Sequence, residues 1–145
     1  DDYGHHPTEL RATLAAARDA YPERRKVAVF QPHRYTRVRN HLEDFAASLD
    51  DADLVVLTPI YAAGEQPIEG ITGERLAALT RARKPGREVL LVEPEAGQDV
   101  VDATIALLNG LWQAGDLILT LGAGSITRVS QGLVTELVAR CGTES

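Results

Sequence analysis

Lys26-Val27-Ala28-Val29-Phe30-Gln31-Pro32-His33-Arg34-Tyr35-Thr36-Arg37-Val38 decides how the chain is read. Lys26 to Phe30 is a short run rich in Val and Phe, as a strand buried on both faces requires, and it ends abruptly in a polar, Pro-containing loop. Val38, Leu42, Phe45, Ala46 and Leu49 then recur with helical spacing. The same alternation repeats downstream. Strands are predicted at Leu54 to Thr58, Glu88 to Val92 and Asp116 to Leu121. Helical stripes follow them: Leu76 and Leu79; Val101, Ile105, Leu108 and Leu111; Ile126, Val129, Leu133 and Leu137. Strand alternating with helix implies an α/β domain, a mostly parallel sheet with helices on both faces. A further helix precedes Lys26, with Pro7 in the favoured first position, Glu9 in the first turn and Leu10, Leu14, Ala17 and Tyr21 on one face. Asp1 to Tyr3 reads as the end of one more strand.

The 145 residues are 44% hydrophobic and 25% charged, which suits one folded domain spanning 1–145 and excludes a disordered tail. Fifteen Lys and Arg against twenty-one Asp and Glu leave a net charge of -6, so the chain as a whole repels polyanions and nucleic-acid binding is not expected. An anion site must then be a local basic cluster. The lone Cys141 excludes an internal disulfide and a CxxC zinc site, and suits a reducing compartment. Apolar runs such as Leu54 to Leu57 are far shorter than the roughly 18 residues of a membrane span, so no membrane association is expected. The opening without Met, at Asp1-Asp2-Tyr3-Gly4-His5-His6-Pro7, reads as an excised piece of a longer protein.

Loops point to the chemistry. The segment 59–72 is long and follows a strand, where open α/β sheets bind ligands. Gln31 to Arg37 brings two guanidiniums and an imidazole to a strand's carboxyl end. If the helix has begun by Arg34, Arg34 and Arg37 share a face and can clamp a carboxylate or phosphate. The alternative is a pair of solvated surface arginines. His5 and His6 flank a helix N-terminus, which favours an anion or a plain polar cap. Neighbouring histidines on an extended chain point apart and no companion ligand has diagnostic spacing, so no metal site is expected. Gly122-Ala123-Gly124 begins like a dinucleotide fingerprint, but Thr127 stands where the third glycine belongs, and a tight turn with close strand and helix packing is the better use. No GxxxxGK[ST] occurs, so the chain is not a self-sufficient P-loop ATPase. Ser125 and Ser130 lack a hydrolase setting.

Several of these segments, in order and spacing, resemble the carboxy-terminal domain of a Mur ligase of the branch that joins L-alanine to UDP-N-acetylmuramate. They are Asp1 to Glu9, Phe30 to Arg37, Asp44-Phe45-Ala46, Tyr61-Ala62-Ala63-Gly64-Glu65 with Pro67-Ile68 and Gly70, and Gly122-Ala123-Gly124. The resemblance implies a three-layer Rossmann-like domain that binds the amino acid. It also implies a cytoplasmic enzyme of peptidoglycan precursor synthesis, whose UDP-sugar and P-loop ATPase domains lie outside this chain. In such enzymes ATP, with Mg2+, phosphorylates the muramate carboxylate and the amine of alanine displaces phosphate to form the amide.

Carried over by motif position, the resemblance places His33, Arg34 and Arg37 around the alanine carboxylate, Tyr3 and His5 on the opposite wall, and Asp2 at the nucleotide. It assigns no catalytic residue to this domain. Ser125 and Val38 depart from the family's frequent Asp or Asn, and Thr, at those positions. A murein tripeptide ligase, which shares the layout, and a free-standing small-anion-binding module are the competing readings.

Overall fold

The computed structural model describes residues 4–142. In chain order the elements are α1 (Pro7–Ala20), β1 (Lys26–Phe30), α2 (Tyr35–Asn40), α3 (Leu42–Ser48), β2 (Leu54–Leu57), α4 (Gly73–Arg83), β3 (Val89–Leu91), α5 (Val100–Asn109), β4 (Leu117–Leu121) and α6 (Thr127–Gly142). The four strands form one parallel sheet in the order β3-β2-β1-β4. This is the α/β architecture expected, with strand ends trimmed by a residue.

Period-two alternation splits β1 and β2 between two cores. Ala28, Phe30, Val55 and Leu57 pack on one face with Leu10 and Leu14 of α1, Phe45 of α3 and Leu76 of α4. Val27, Val29, Leu54 and Val56 pack on the other with Val101, Ile105 and Leu108 of α5 and Val129 and Leu133 of α6. The result is three layers. Each fully buried Leu or Phe contributes about 1.5–3 kcal/mol relative to exposure.

Helix starts follow local chemistry. Pro7 occupies the first turn of α1 and the His6 ring Nδ1 accepts the Thr8 N–H at 3.2 Å. Asp99 accepts the Val101 N–H at 2.7 Å to cap α5, and Thr72 Oγ1 accepts the Arg75 N–H at 3.1 Å to cap α4.

Three expectations are corrected. The helix predicted after β1 is two helices, broken at His41, whose backbone N–H turns back to the Arg37 and Val38 carbonyls. Tyr21 is not on the packed face of α1; it is the C-cap and 46% exposed. Arg34 is not yet helical: it precedes α2 with φ 70° and ψ 131°. The predicted strand end at Asp1 to Tyr3 lies outside the described residues.

Candidate functional site

The loops after β1 and β4 leave adjacent strands toward opposite faces, opening a crevice at the sheet's carboxyl edge. Gln31, 2% exposed, ties the two loops together. Its backbone N–H donates to the Leu121 carbonyl at 3.0 Å, its Oε1 accepts the Ile126 N–H at 3.0 Å, and its Nε2 donates to Ser125 Oγ at 3.0 Å. This close approach explains Gly124. A Cβ there would lie 2.6 Å from Gln31 Oε1 and 3.0 Å from Tyr61 Cγ. The glycine turn serves packing, as the sequence favoured.

The loop at 59–72 returns to this edge. Tyr61 pairs with the chain after β1: its N–H donates to the Pro32 carbonyl at 2.8 Å and its carbonyl accepts the Arg34 N–H at 2.8 Å. The Tyr61 ring stacks on His33, with centroids 5.4 Å apart and planes 8° from parallel. Glu65 Oε1 accepts the Thr36 N–H at 3.1 Å and Oε2 accepts the Thr36 hydroxyl at 2.6 Å, capping the start of α2. Those two bonds, with the charge of Arg34, hold the Glu65 carboxyl below its ordinary range.

His33 and Arg37 form the centre. Arg37 Nη1 lies 3.0 Å from His33 Nδ1 and donates to the His33 carbonyl at 3.3 Å. A guanidinium only donates, so Nδ1 is the acceptor and the imidazole proton belongs on Nε2. Burial first, then the charges of Arg37 and Arg34, push the His33 pKa down. Arg34 is exposed. The two arginines therefore do not form the side-by-side clamp expected from a shared helix face: Arg37 holds His33, and Arg34 projects from the turn before the helix.

The adjacent histidines point apart, as their extended spacing required. The His5 ring lies 6.4 Å from that of His33, at the cluster. His6 caps α1 and meets His41 edge-on at 4.8 Å. Asp2 and Tyr3 lie outside the described residues. The structure thus brings together His5, His33, Arg34 and Arg37, and adds Tyr61, Glu65, Thr36 and Gln31. The sequence points to the 59–72 loop as a place for a ligand, but the contacts of Tyr61 and Glu65 with the chain after β1 carry no local signal. A cavity of about 470 Å³ between this loop and the ends of β2 and β3, lined by Tyr35, Ile60, Ile68 and Leu91, adjoins the cluster without including His33 or either arginine. Among the described residues, no three His, Cys, Asp or Glu side chains gather as metal ligands would. No described helix is long and apolar enough to cross a membrane.

Comparison with known proteins extends this picture. The chain is 48% identical over 137 residues to the UDP-N-acetylmuramate--L-alanine ligase of Sulfurihydrogenibium sp. (strain YO3AOP1), covering 94% of this chain and 28% of that protein. The solved UDP-N-acetylmuramate-alanine ligase of Thermotoga maritima superposes with a TM-score of 0.69 at 26% identity, over 97% of this chain and 26% of that one. A solved domain of a ligase from Haemophilus ducreyi matches with a TM-score of 0.63 at 26% identity, over 94% of this chain and 88% of that one. The chain therefore spans little more than a quarter of the full-length relatives it matches. The family described as Mur ligase, glutamate ligase domain, matches residues 1–124, which takes in every element from α1 through β4 and the glycine turn beyond it, and the chain belongs to that family.

Proposed function

We propose that this chain is the amino-acid-binding, carboxy-terminal domain of a cytoplasmic ATP-dependent ligase that joins L-alanine to UDP-N-acetylmuramate in peptidoglycan precursor synthesis. The cluster of Arg34, Arg37, His33 and His5 at the carboxyl end of β1 carries this reading, supported by the 48% identity to a relative of that name.

An amino-acid carboxylate needs directed donors. Arg34 offers an exposed guanidinium fork at the rim, and Arg37 has further N–H groups beyond the one bonded to His33. A neutral His33 with its proton on Nε2 donates to an oxygen without adding a charge that would repel the substrate ammonium. The stack on Tyr61 keeps that ring in place. By their place in the motif at Asp1 to Glu9, Tyr3 and His5 are assigned to the substrate and Asp2 to the nucleotide. The GxxxxGK[ST] sequence that cradles nucleotide phosphates does not occur between residues 1 and 145, and ATP and its Mg2+ need such a cradle. We assign both to a central domain outside this chain, with the UDP-sugar in an amino-terminal one.

The test is phosphate release and amide formation by the complete protein given ATP, UDP-N-acetylmuramate and one amine donor at a time. Turnover with L-alanine, and none by the 145-residue chain alone, is expected. Preference for a murein tripeptide would move the domain to the tripeptide ligases. Amino-acid binding without turnover by the complete protein would make it a binding module.

A further inference from the structure

Arg34 is the one residue of the cluster whose backbone is strained. Its φ of 70° lies in the left-handed region that side chains with a Cβ avoid. Such a conformation persists only where neighbours over-determine it. One restraint is the Arg34 N–H bonded to the Tyr61 carbonyl. On the carbonyl side the Arg34 oxygen accepts the Val38 N–H at 3.2 Å, the first helical bond of α2, and a third restraint backs that turn. Glu65 takes both the amide and the hydroxyl of Thr36, two residues on, and so fixes the first turn of α2. To reach Thr36 the 59–72 loop turns sharply through Ala63 at φ 51° and Gly64 at φ 85°, and the Glu65 N–H closes the turn on the Ala62 carbonyl at 3.1 Å. Two left-handed residues spent on delivering one carboxylate to one threonine leave that carboxylate with a positional task.

We propose that Glu65 is the positioning residue for Arg34: by gripping Thr36 at both its amide and its hydroxyl, it locks the left-handed backbone that aims the Arg34 guanidinium into the site. The inference rests on the reading of this cluster as the amino-acid carboxylate site. Without the grip, Arg34 relaxes toward negative φ and its side chain leaves the direction in which it meets the substrate, while the nucleotide end of the reaction is untouched.

Two readouts test this. In the 145-residue chain, the intraresidue amide-to-Hα NOE of Arg34 reports positive φ, being strong only there. Glu65→Ala should weaken it. Glu65→Gln should retain it, since the amide oxygen accepts the Thr36 N–H and the amide nitrogen donates to the Thr36 hydroxyl. In the complete ligase, Glu65→Ala should raise the KM for the amino acid about tenfold with the KM for ATP held, and Glu65→Gln should recover most of the loss. Should Glu65→Ala fail to fold, Thr36→Val, which deletes only the hydroxyl contact, reads the same coupling by a weakened NOE and a raised amino-acid KM. A folded Glu65→Ala or Thr36→Val with unchanged NOE and amino-acid KM overturns the proposal. So does Glu65→Gln behaving like Glu65→Ala, which would make the charge, not the grip, the active feature. If the wild-type protein forms no amide, the ligase reading falls, and the NOE alone still decides whether Glu65 positions Arg34.

Discussion

The Arg37 guanidinium folds back on His33, with Nη1 3.0 Å from the ring Nδ1 and donating to the same residue's carbonyl oxygen at 3.3 Å. This contact sets the tautomer of the ring, with the proton on Nε2. Burial and then the charges of Arg37 and Arg34 depress the His33 pKa in the folded chain. The stability linked to His33 is therefore fully present above the ordinary histidine value of about 6.5 and is lost as the pH falls through the lower folded-state pKa, because the unfolded chain takes up the proton first. An NMR titration of the His33 ring should find it below the peptide value, and Arg37→Gln should move it upward. A ring that titrates at or above the peptide value contradicts the contact.

Arg34→Gly removes both the guanidinium and the strain. Glycine accepts φ 70° without penalty, so the variant should be about 1 kcal/mol more stable by denaturant melt, after its own entropy cost. Its amino-acid binding should be lost. Stability and function would then move in opposite directions at one residue, which a solvated surface arginine does not do.

Gly124→Ala places a methyl 2.6 Å from Gln31 Oε1 and 3.0 Å from the Tyr61 ring. Overpacking of this kind costs about 1–3 kcal/mol, and the displaced ring should disturb the stack on His33. Gly110→Ala, where an added methyl would meet the Leu107 carbonyl oxygen at an ordinary 3.6 Å and φ is -89°, should stay within about 0.5 kcal/mol of wild type. Paired thermal melts, with the His33 ring shifts as a second readout, check both.

Arg25 and Asp116 anchor the opposite end of the sheet. Nε and Nη2 of Arg25 donate to the two carboxylate oxygens at 3.0 and 2.7 Å, and the Asp116 side chain is 5% exposed. Asp116→Asn should cost about 1.5–3 kcal/mol, typical of a charged hydrogen bond, without changing amino-acid kinetics. Because Arg25 lowers the Asp116 pKa, this stability is present above the ordinary aspartate range and is lost as the pH falls through the folded value.

The architecture was legible because strand-sized apolar runs and helical spacing are local signals: Lys26 to Phe30 reads as a strand buried on both faces, and the structure puts Val27 and Val29 in one core and Ala28 and Phe30 in the other. The break at His41 was hidden because Val38, Leu42, Phe45 and Leu49 keep one helical phase across it. Site residues split in the same way. His5, His33, Arg34 and Arg37 were readable as chemistry beside a strand end. The partners Tyr61, Glu65 and Gln31 were not, since their contacts join loops far apart in sequence, and a left-handed Arg34 carries no residue signature.

The claim that this cluster receives the amino-acid carboxylate is tested most directly by Arg34→Lys in the complete ligase. Lysine keeps the charge and loses the two parallel N–H donors. The expected result is a KM for L-alanine raised roughly tenfold or more, corresponding to about 1.5–3 kcal/mol, with the KM for ATP little changed. A folded Arg34→Lys enzyme with the wild-type KM for alanine would contradict the assignment.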